Sequence, residues 1–514
     1  MVKQPLFIMW FKRDLRLRDN RALKMAIEAT QAVPGARLLL LYVFEPSLLA
    51  DPHYDLRHWR FVTESLSDLN QQLRQVGPAT PLALSEWPTA PTADLRAAST
   101  REAGQIIIAQ REVVELLTEL TQTYALRGLY SHQETGLRLT YLRDQAVAAF
   151  CQQHGTAWHE FNQNGVIRRL TQRKEWRPRY YARMNQPQQH PDLAALANVA
   201  LPTAALTPCL GPSLPAKWRQ PAAGFQAGGE EEAHQWLNSF LTERVDHYIA
   251  SLPNPLASRT GGSRLSPYLA WGCLSTRQVV QAQGRAAQAA RAQRLSARAT
   301  ELSGFAHRLL AQSYFIQQFE SDDRLEFENM NPAFNALEKN VNATHLAAWA
   351  AGRTGYPLVD ACMRCLAQTG YVNFRMRALL LSFLTHHLFQ DWKPGALHLA
   401  RLFLDFEPGI HYSQMQMQSG MDYQPIVRMY NPVKQSREHD PEGTFIREWV
   451  PELAGCSARA IHEPWKMTAA VQQQVGVVIG RDYPAPLVDI VATGRVARTA
   501  LYQFGRTGKE LPAQ

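Results

Sequence analysis

The hydrophobic pattern changes character along the chain. Up to about residue 135, short continuous apolar blocks alternate with helical periodicity. Residues 6–10 (LFIMW) have strand length, and 22–30 repeat with a helical period. Residues 36–44 (ARLLLLYVF) form an unbroken apolar run, which suits a strand buried on both faces. A helical pattern over 59–76 follows, then a second buried strand at 104–109 (GQIIIA), a helix at 111–125 and a short strand at 128–130. Strands alternating with helices predict a doubly wound parallel sheet, an α/β domain over 1–135. No GxGxxG follows the first strand, which disfavours a dinucleotide site of that type there.

From 136 to 229 the pattern weakens. Pro178, Pro187, Pro191, Pro202, Pro208, Pro212, Pro215 and Pro221 punctuate it, so it reads as a long interdomain connection over the surface. Beyond 230 the helical period dominates, at 233–250, 276–296, 301–319, 358–369, 374–389 and 396–403. These runs predict a large all-α domain over 230–491, with 492–514 as a polar, frayed tail.

Composition narrows the partners more than the fold. Among 514 residues, 54 Lys and Arg face 45 Asp and Glu, a net charge of +9, and 46 % are hydrophobic. That is a globular composition and excludes a disordered chain. The basic excess favours nucleic acid, phosphate-bearing cofactors or lipid head groups. It concentrates at 165–184, where seven Arg and Lys meet one Glu, with Trp176, Tyr180 and Tyr181 interleaved. Such spacing suits a nucleic-acid contact, by phosphate neutralisation and stacking. It equally suits a surface strap pinned by its aromatics. Six cysteines, at 151, 209, 273, 362, 365 and 456, exclude a disulfide scaffold. Cys362 and Cys365 form a CxxC with no second pair, so helical packing is the expected role. No signal-peptide core and no apolar run of about 18 residues is present, so the chain reads as cytoplasmic, with no membrane span.

Three places carry candidate chemistry. Residues 261–268 (GGSRLSPY) precede a helix pattern, with two glycines, two serines and Arg264, and they suit either a phosphate cradle or an ordinary capped helix start. Arg375 and Arg377 open an apolar helix, and one of them can meet a carboxylate of Asp405–Glu407. His411 stands on a loop that begins with Gly409. The adjacent His386 and His387 diverge on a helix and do not make a metal pair.

Read together, WFKRDLRLRDN at 10–20, SRLSPYL at 263–269, GRTGYPLVDA at 352–361, Asn431-Pro432, DPEGTFIREWVPEL at 440–453 and DYP at 482–484 resemble the cryptochrome/photolyase family nearly end to end. The resemblance implies an antenna-type α/β domain and a helical domain holding a U-shaped FAD, where blue light drives one-electron transfer. A second antenna chromophore of unspecified identity is part of that expectation. By position, it implies that Tyr248, Ser263, Leu265 and Ser266 contact the FAD phosphates. Gln312 and Phe374 join the cofactor-binding set, Arg377 and Asp405 pair beside the isoalloxazine, and Glu407 faces the flavin and ribityl. His411 falls nearest flavin N5, as a group able to hold or donate a proton, and Trp392 matches the middle of the electron relay.

Departures from the family pattern shape the functional expectation. The dimer-facing aromatic positions fall on Ala311 and Met417, and the dimer-binding carboxylate falls on Arg308. The innermost relay position becomes Met415, and the outer one falls near Lys339. Tyr412, Tyr371, Tyr430 and Trp349 are alternative carriers. The expected function is a blue-light-responsive flavoprotein, sensory or regulatory, with DNA and an unidentified signalling protein as partners. The alternative is a deoxyribodipyrimidine photolyase. A regulatory protein with a vestigial flavin is disfavoured by the intact motifs.

Overall fold

A computed structural model describes residues 2–76, 104–201, 206, 210–337, 339, 341–423 and 428–507, the side chains at 505–507 excepted. Cys209, Pro202, Pro208 and the last seven residues of the expected tail lie outside the described residues. The chain divides into two units. One comprises Met1–Pro221, Ala227–Gln235 and Pro267–Ala282, and the other Ala222–Gln226, Trp236–Ser266 and Gln283–Gln514.

The first unit is built on five strands: β1 (Gln4–Phe11), β2 (Arg37–Val43), β3 (Ile106–Ala109), β4 (Tyr124–His132) and β5 (Ala157–Phe161). All pair in parallel, in the order β3-β2-β1-β4-β5. Ile8 of β1 stands beside Leu39 of β2 and Leu129 of β4. The helices α1 (Arg21–Gln31), α2 (Leu56–Gln75), α3 (Val113–Thr123) and α4 (Arg138–Gln153) connect or follow the strands. Leu6, Ile8, Trp10, Leu39, Leu41, Ile107, Leu116, Leu120, Leu129 and Val147 share one buried cluster. Each such side chain contributes about 1.5–3 kcal/mol on burial. The strand order reverses between β1 and β4, the switch point where parallel sheets of this kind hold ligands.

Here the structure moves the expected boundaries. Helix α4 and strand β5 lie inside the 136–229 stretch read as a connection. β5 was illegible because it is an edge strand of five residues, AWHEF, half-buried at best. β4 begins at Tyr124, directly after α3, and is longer than the three residues expected. The 165–184 stretch carries a short helix, α5 (Trp176–Met184), with Trp176 and Tyr180 buried and Tyr181 43 % exposed.

The second unit is helical. Its site-forming helices are α6 (Ala257–Gly261), α7 (Ser296–Ser321), α8 (Pro357–Thr369), α9 (Phe374–Ser382), α10 (Trp392–Leu402) and α11 (Pro408–Ser419). A final helix, α12 (Ile490–Thr507), replaces the expected frayed tail, because Ala497 and Leu501, one turn apart, are both buried. The apolar run at 374–389 is not one α-helix: α9 gives way to a π-helical turn at Phe383–His387. There, His386 bonds Ser382 Oγ at 3.0 Å and the Ser419 carbonyl at 3.3 Å, and His387 bonds the Tyr430 carbonyl at 3.0 Å. Buried Asp360 ties the 352–361 motif to the 482–484 motif. It accepts from Thr354 N and Oγ1 at 2.7 Å each, from Gly355 N at 3.1 Å and from the Tyr483 hydroxyl at 2.5 Å. Burial pushes its carboxyl up to about 6, against those donors. Among the described residues no helix is long and apolar enough to cross a membrane.

Candidate functional site

The site grows from the turn at 261–266 in the helical unit. Gly262 permits a close backbone approach: a Cβ there would lie 2.5 Å from the Ser258 carbonyl. Arg264 adopts φ +58°, a left-handed conformation that costs a non-glycine residue about 1–2 kcal/mol. Reciprocal bonds with Gln226 hold it: Arg264 Nε and Nη2 donate to Gln226 Oε1 at 3.1 and 2.9 Å, and Gln226 Nε2 donates to the Arg264 carbonyl at 2.9 Å. Arg244 donates to the carbonyls of Gly262, Ser263 (3.4 Å) and Trp236 (2.8 Å). Burial, then the Arg264 charge, pull the Arg244 guanidinium below its ordinary value.

Arg377 completes the cationic set. Asn373 caps α9 by accepting from Met376 N at 2.9 Å, which fixes where Arg377 projects. Arg377 meets Asp405 bidentately, Nη1–Oδ1 3.0 Å and Nη2–Oδ2 2.8 Å. Burial alone would raise the Asp405 carboxyl; the Arg377 guanidinium and the Ser266 hydroxyl outweigh it and hold Asp405 below the usual carboxylate range. Tyr371 lies against two cations, 3.7 Å from Arg264 and 5.9 Å from Arg377. Asp405 thus answers Arg377, while Arg244 and Arg264 lie against carbonyls, an amide and the Tyr371 ring, an arrangement suited to a diphosphate.

The other expected residues fall as follows. Leu265 is buried, and Ser263 and Ser266 are half-buried. Tyr248 is buried edge-on against Phe240 and Phe305, and burial raises its phenol. Gln312 and Ala311 are half-buried on α7, and Arg308 is exposed there. Met417 is half-buried on α11. Phe374 is 45 % exposed at the start of α9, unusual for a large aromatic. Glu407 caps α11, its carbonyl accepting from His411 N at 2.8 Å.

His411 Nε2 meets the Ala396 carbonyl at 2.9 Å. A carbonyl only accepts, so Nε2 carries the proton. The ring stands edge-on to Phe406 (5.2 Å), Tyr412 (5.4 Å) and Phe403 (6.0 Å). Phe403 in turn lies 4.1 Å from the Arg377 guanidinium. Trp392 donates to Asn329 Oδ1 at 2.8 Å and meets Tyr412 at 6.2 Å. Of the four alternative carriers, Tyr412 is the one in ring contact with Trp392. Trp349 instead bonds the Leu380 carbonyl, and Tyr430 lies against Arg375. Lys339 donates to the Thr385 and Gln390 carbonyls at 3.1 and 3.4 Å, and burial lowers its ammonium to about 8. Cys362 and Cys365 are buried with raised thiols, inert core residues.

The reading of the sequence missed Arg244, the Tyr371 stacking and two orphaned buried atoms. Asn373 Nδ2 and Ser313 Oγ have no hydrogen-bond partner among the described residues, although both side chains are buried. Orphaned polar atoms at such positions fit a polar ligand, as do the exposed Phe374 and the cationic cradle. No local signal marked Arg244, because its contact with the 261–266 turn is made by the fold.

Two family models match the chain: "DNA photolyase" over residues 7–190 and "FAD binding domain of DNA photolyase" over residues 305–503. Cryptochrome-2 of Gallus gallus is 28 % identical over 515 residues, spanning 95 % of this chain and 81 % of that relative. A deoxyribodipyrimidine photo-lyase of Alkalihalophilus pseudofirmus is 28 % identical over 504 residues, spanning 93 % and 94 %. In fold, the chain is similar to the crystal structure of a Synechocystis sp. cryptochrome, with TM-score 0.79, 21 % identity and coverage of 97 % and 100 %. It is also similar to an archaeal photolyase from Sulfolobus tokodaii with two FAD molecules, with TM-score 0.73, 21 % identity and coverage of 97 % and 100 %.

Proposed function

This chain belongs to the cryptochrome/photolyase family, and from that premise we propose that it is a sensory or regulatory flavoprotein: light moves single electrons at an FAD in its helical unit, and DNA is a partner more than a substrate. The observation that carries the choice is the pair Ala311 and Met417 where repair members present aromatic rings. Stacking on an aromatic is worth about 1–3 kcal/mol per base, so a flipped-out dimer loses that much grip at each position. Arg308 stands where a carboxylate would bond the dimer, and a guanidinium cannot accept those hydrogen bonds.

Bound FAD would supply the blue-light absorption and the one-electron chemistry. The chain's own residues do the rest. Arg244 and Arg264 neutralise the diphosphate over the Gly262 turn. Asp405, ionised at neutral pH, keeps Arg377 oriented beside the ring system. Asn373 Nδ2 and Ser313 Oγ offer a donor and a hydroxyl, and Phe374 an apolar face. His411 holds its proton on Nε2 towards Ala396. Trp392 and Tyr412 offer an electron route through ring contacts of 6.2 and 5.4 Å to His411. On the α/β unit, Trp176 donates to the Gly165 carbonyl and pins the strap, while Arg169, Lys174 and Arg177 remain exposed beside Tyr181. That edge suits phosphate contact; each such contact adds about 0.7–0.9 to the salt slope of DNA binding.

The test is direct. The purified protein, checked for FAD, is illuminated with dimer-containing single- and double-stranded DNA. Flavin reduction with the dimers left intact is expected. Efficient light-dependent dimer loss would establish the photolyase reading instead, and a protein unable to take up FAD would refute both.

A further inference from the structure

The ligand-binding place of a doubly wound parallel sheet is the crevice beyond the strand ends at its switch point. In this chain that place lies between the ends of β1 and β4, and the chain's own charges fill it. Asp14, just past β1, accepts from His132 Nδ1 at the end of β4 at 2.7 Å, directly across the switch point. The same carboxylate accepts from Lys12 N at 2.7 Å. Arg143 of α4 reaches three carboxylates: Glu134 at 2.7 Å, Asp144 at 2.9 Å and Glu45 beyond β2 at 3.1 Å. Lys12 Nζ bonds Asp144 at 3.1 Å, with Glu160 of β5 at 3.8 Å. Both cations sit on the indole of Trp10, each 4.9 Å from its centroid. Arg168 closes the rim by donating to the Glu134 carbonyl at 2.8 Å.

A flavin needs a cavity of some 300–1,000 Å³ with donors to spare for its phosphate, whereas the carboxylate oxygens here without a hydrogen bond among the described residues, Glu45 Oε1 and Glu160 Oε1, are acceptors that repel one. Here Lys12, Arg13, Asp14, Glu45, His132, Glu134 and Asp144 are each less than a tenth exposed. The sequence also lacks the Gly-rich turn after β1 that would let a phosphate approach the backbone. Arg143 cannot leave without stranding the buried Glu45 and Glu134 carboxylates, Asp144 keeping Lys12. Its partners hold it charged despite burial.

We propose that this switch point is locked by the Lys12–Asp144–Arg143–Glu134 network and admits no second flavin-type chromophore, so that the α/β unit is a scaffold and not a flavin antenna. The FAD of the helical unit would then be the one flavin that gathers light.

The test uses the full-length protein. Chromophores released on denaturation are counted per chain, and a second equivalent of FAD, then FMN, is titrated in while amide hydrogen exchange is followed at 10–16 and 130–145. At most one FAD per chain is expected, with exchange in both segments unchanged at saturating ligand, even where ligand binds elsewhere. A second equivalent that slows exchange in these segments at least tenfold would overturn the lock. The exchange readout is independent of the helical unit: a chain without any FAD would refute the proposed function and leave this measurement decisive on its own. An action spectrum for flavin reduction gives a second reading. It should follow the absorption of one oxidised FAD, and an added band from a chromophore protecting 10–16 would count against the lock.

Discussion

Each of the two units carries a cluster of buried charge, and the clusters differ in how their charges are spent. In the α/β unit, Arg143 and Lys12 are matched by Glu45, Glu134, Asp144 and Glu160. In the helical unit, Arg244 and Arg264 donate to carbonyls and an amide, and Asp405 answers Arg377. A cluster balanced from within holds a fold together. A cluster whose arginines lie against backbone carbonyls, an amide and the Tyr371 ring, as at Arg244 and Arg264, suits an anion that arrives from outside. Counting charges therefore separates scaffold from site where residue type alone does not.

The sharpest way to break this contrast is Arg143→Ala. It strands Glu45 and Glu134 in a buried place while Asp144 keeps Lys12, and losing one partner of a buried ion network costs about 3–5 kcal/mol. Calorimetry should show that loss with FAD content per chain unchanged. A loss below about 1 kcal/mol would mean that the network holds little. Asp405→Ala is the counterpart in the helical unit. It leaves Arg377 unpaired beside the cradle, and about 2–3 kcal/mol of FAD affinity should go, roughly 100-fold in Kd. Fluorescence titration of the flavin measures it, and unchanged affinity would remove the Arg377–Asp405 pair from the site.

The sequence announced the two clusters unequally. The 10–20 and 263–269 motifs were legible, since they lie in short, ordered strings, and the Arg377–Asp405 pairing was legible only through the resemblance those motifs carry. The sheet was legible in its central strands, where β2 reads RLLLLYV, and illegible at its edge, where β5 reads AWHEF and none of the five side chains is fully buried. Nothing local marked Arg143 as a hub. Its partners sit 98 residues upstream at Glu45, 9 upstream at Glu134 and next to it at Asp144, and only the strand order gathers them. Tyr412 as the neighbour of Trp392 was one of four possibilities until α10 and α11 were packed together.

Below both clusters in size of effect stands Asp360. Its folded carboxyl, at about 6, lies above the ordinary 3.8, so the folded state binds the extra proton between those values. Stability contributed by that group is therefore present below about pH 4 and is lost as pH rises through 6. Tyr483→Phe removes the 2.5 Å donor that favours the ionised form. The variant should lose about 1–2 kcal/mol at pH 8 and measurably less at pH 5, where the carboxyl is protonated. Equal losses at the two pH values, read from urea melts, would mean that Asp360 does not titrate in that range.

The smallest effect expected is at His411. Its Nε2–Ala396 bond is one neutral hydrogen bond, worth about 1 kcal/mol, and an asparagine amide retains a donor there. His411→Asn should thus leave stability and FAD content nearly untouched. What it removes is the titratable ring between Tyr412, Phe406 and Phe403, and with it a way to couple proton movement to electron arrival. Light-driven flavin reduction, followed at one fixed pH, should be slower in the variant than in the parent protein. Identical rates would make His411 a packing residue. The helical unit's charges would then serve to hold the cofactor, with no part in managing its protons.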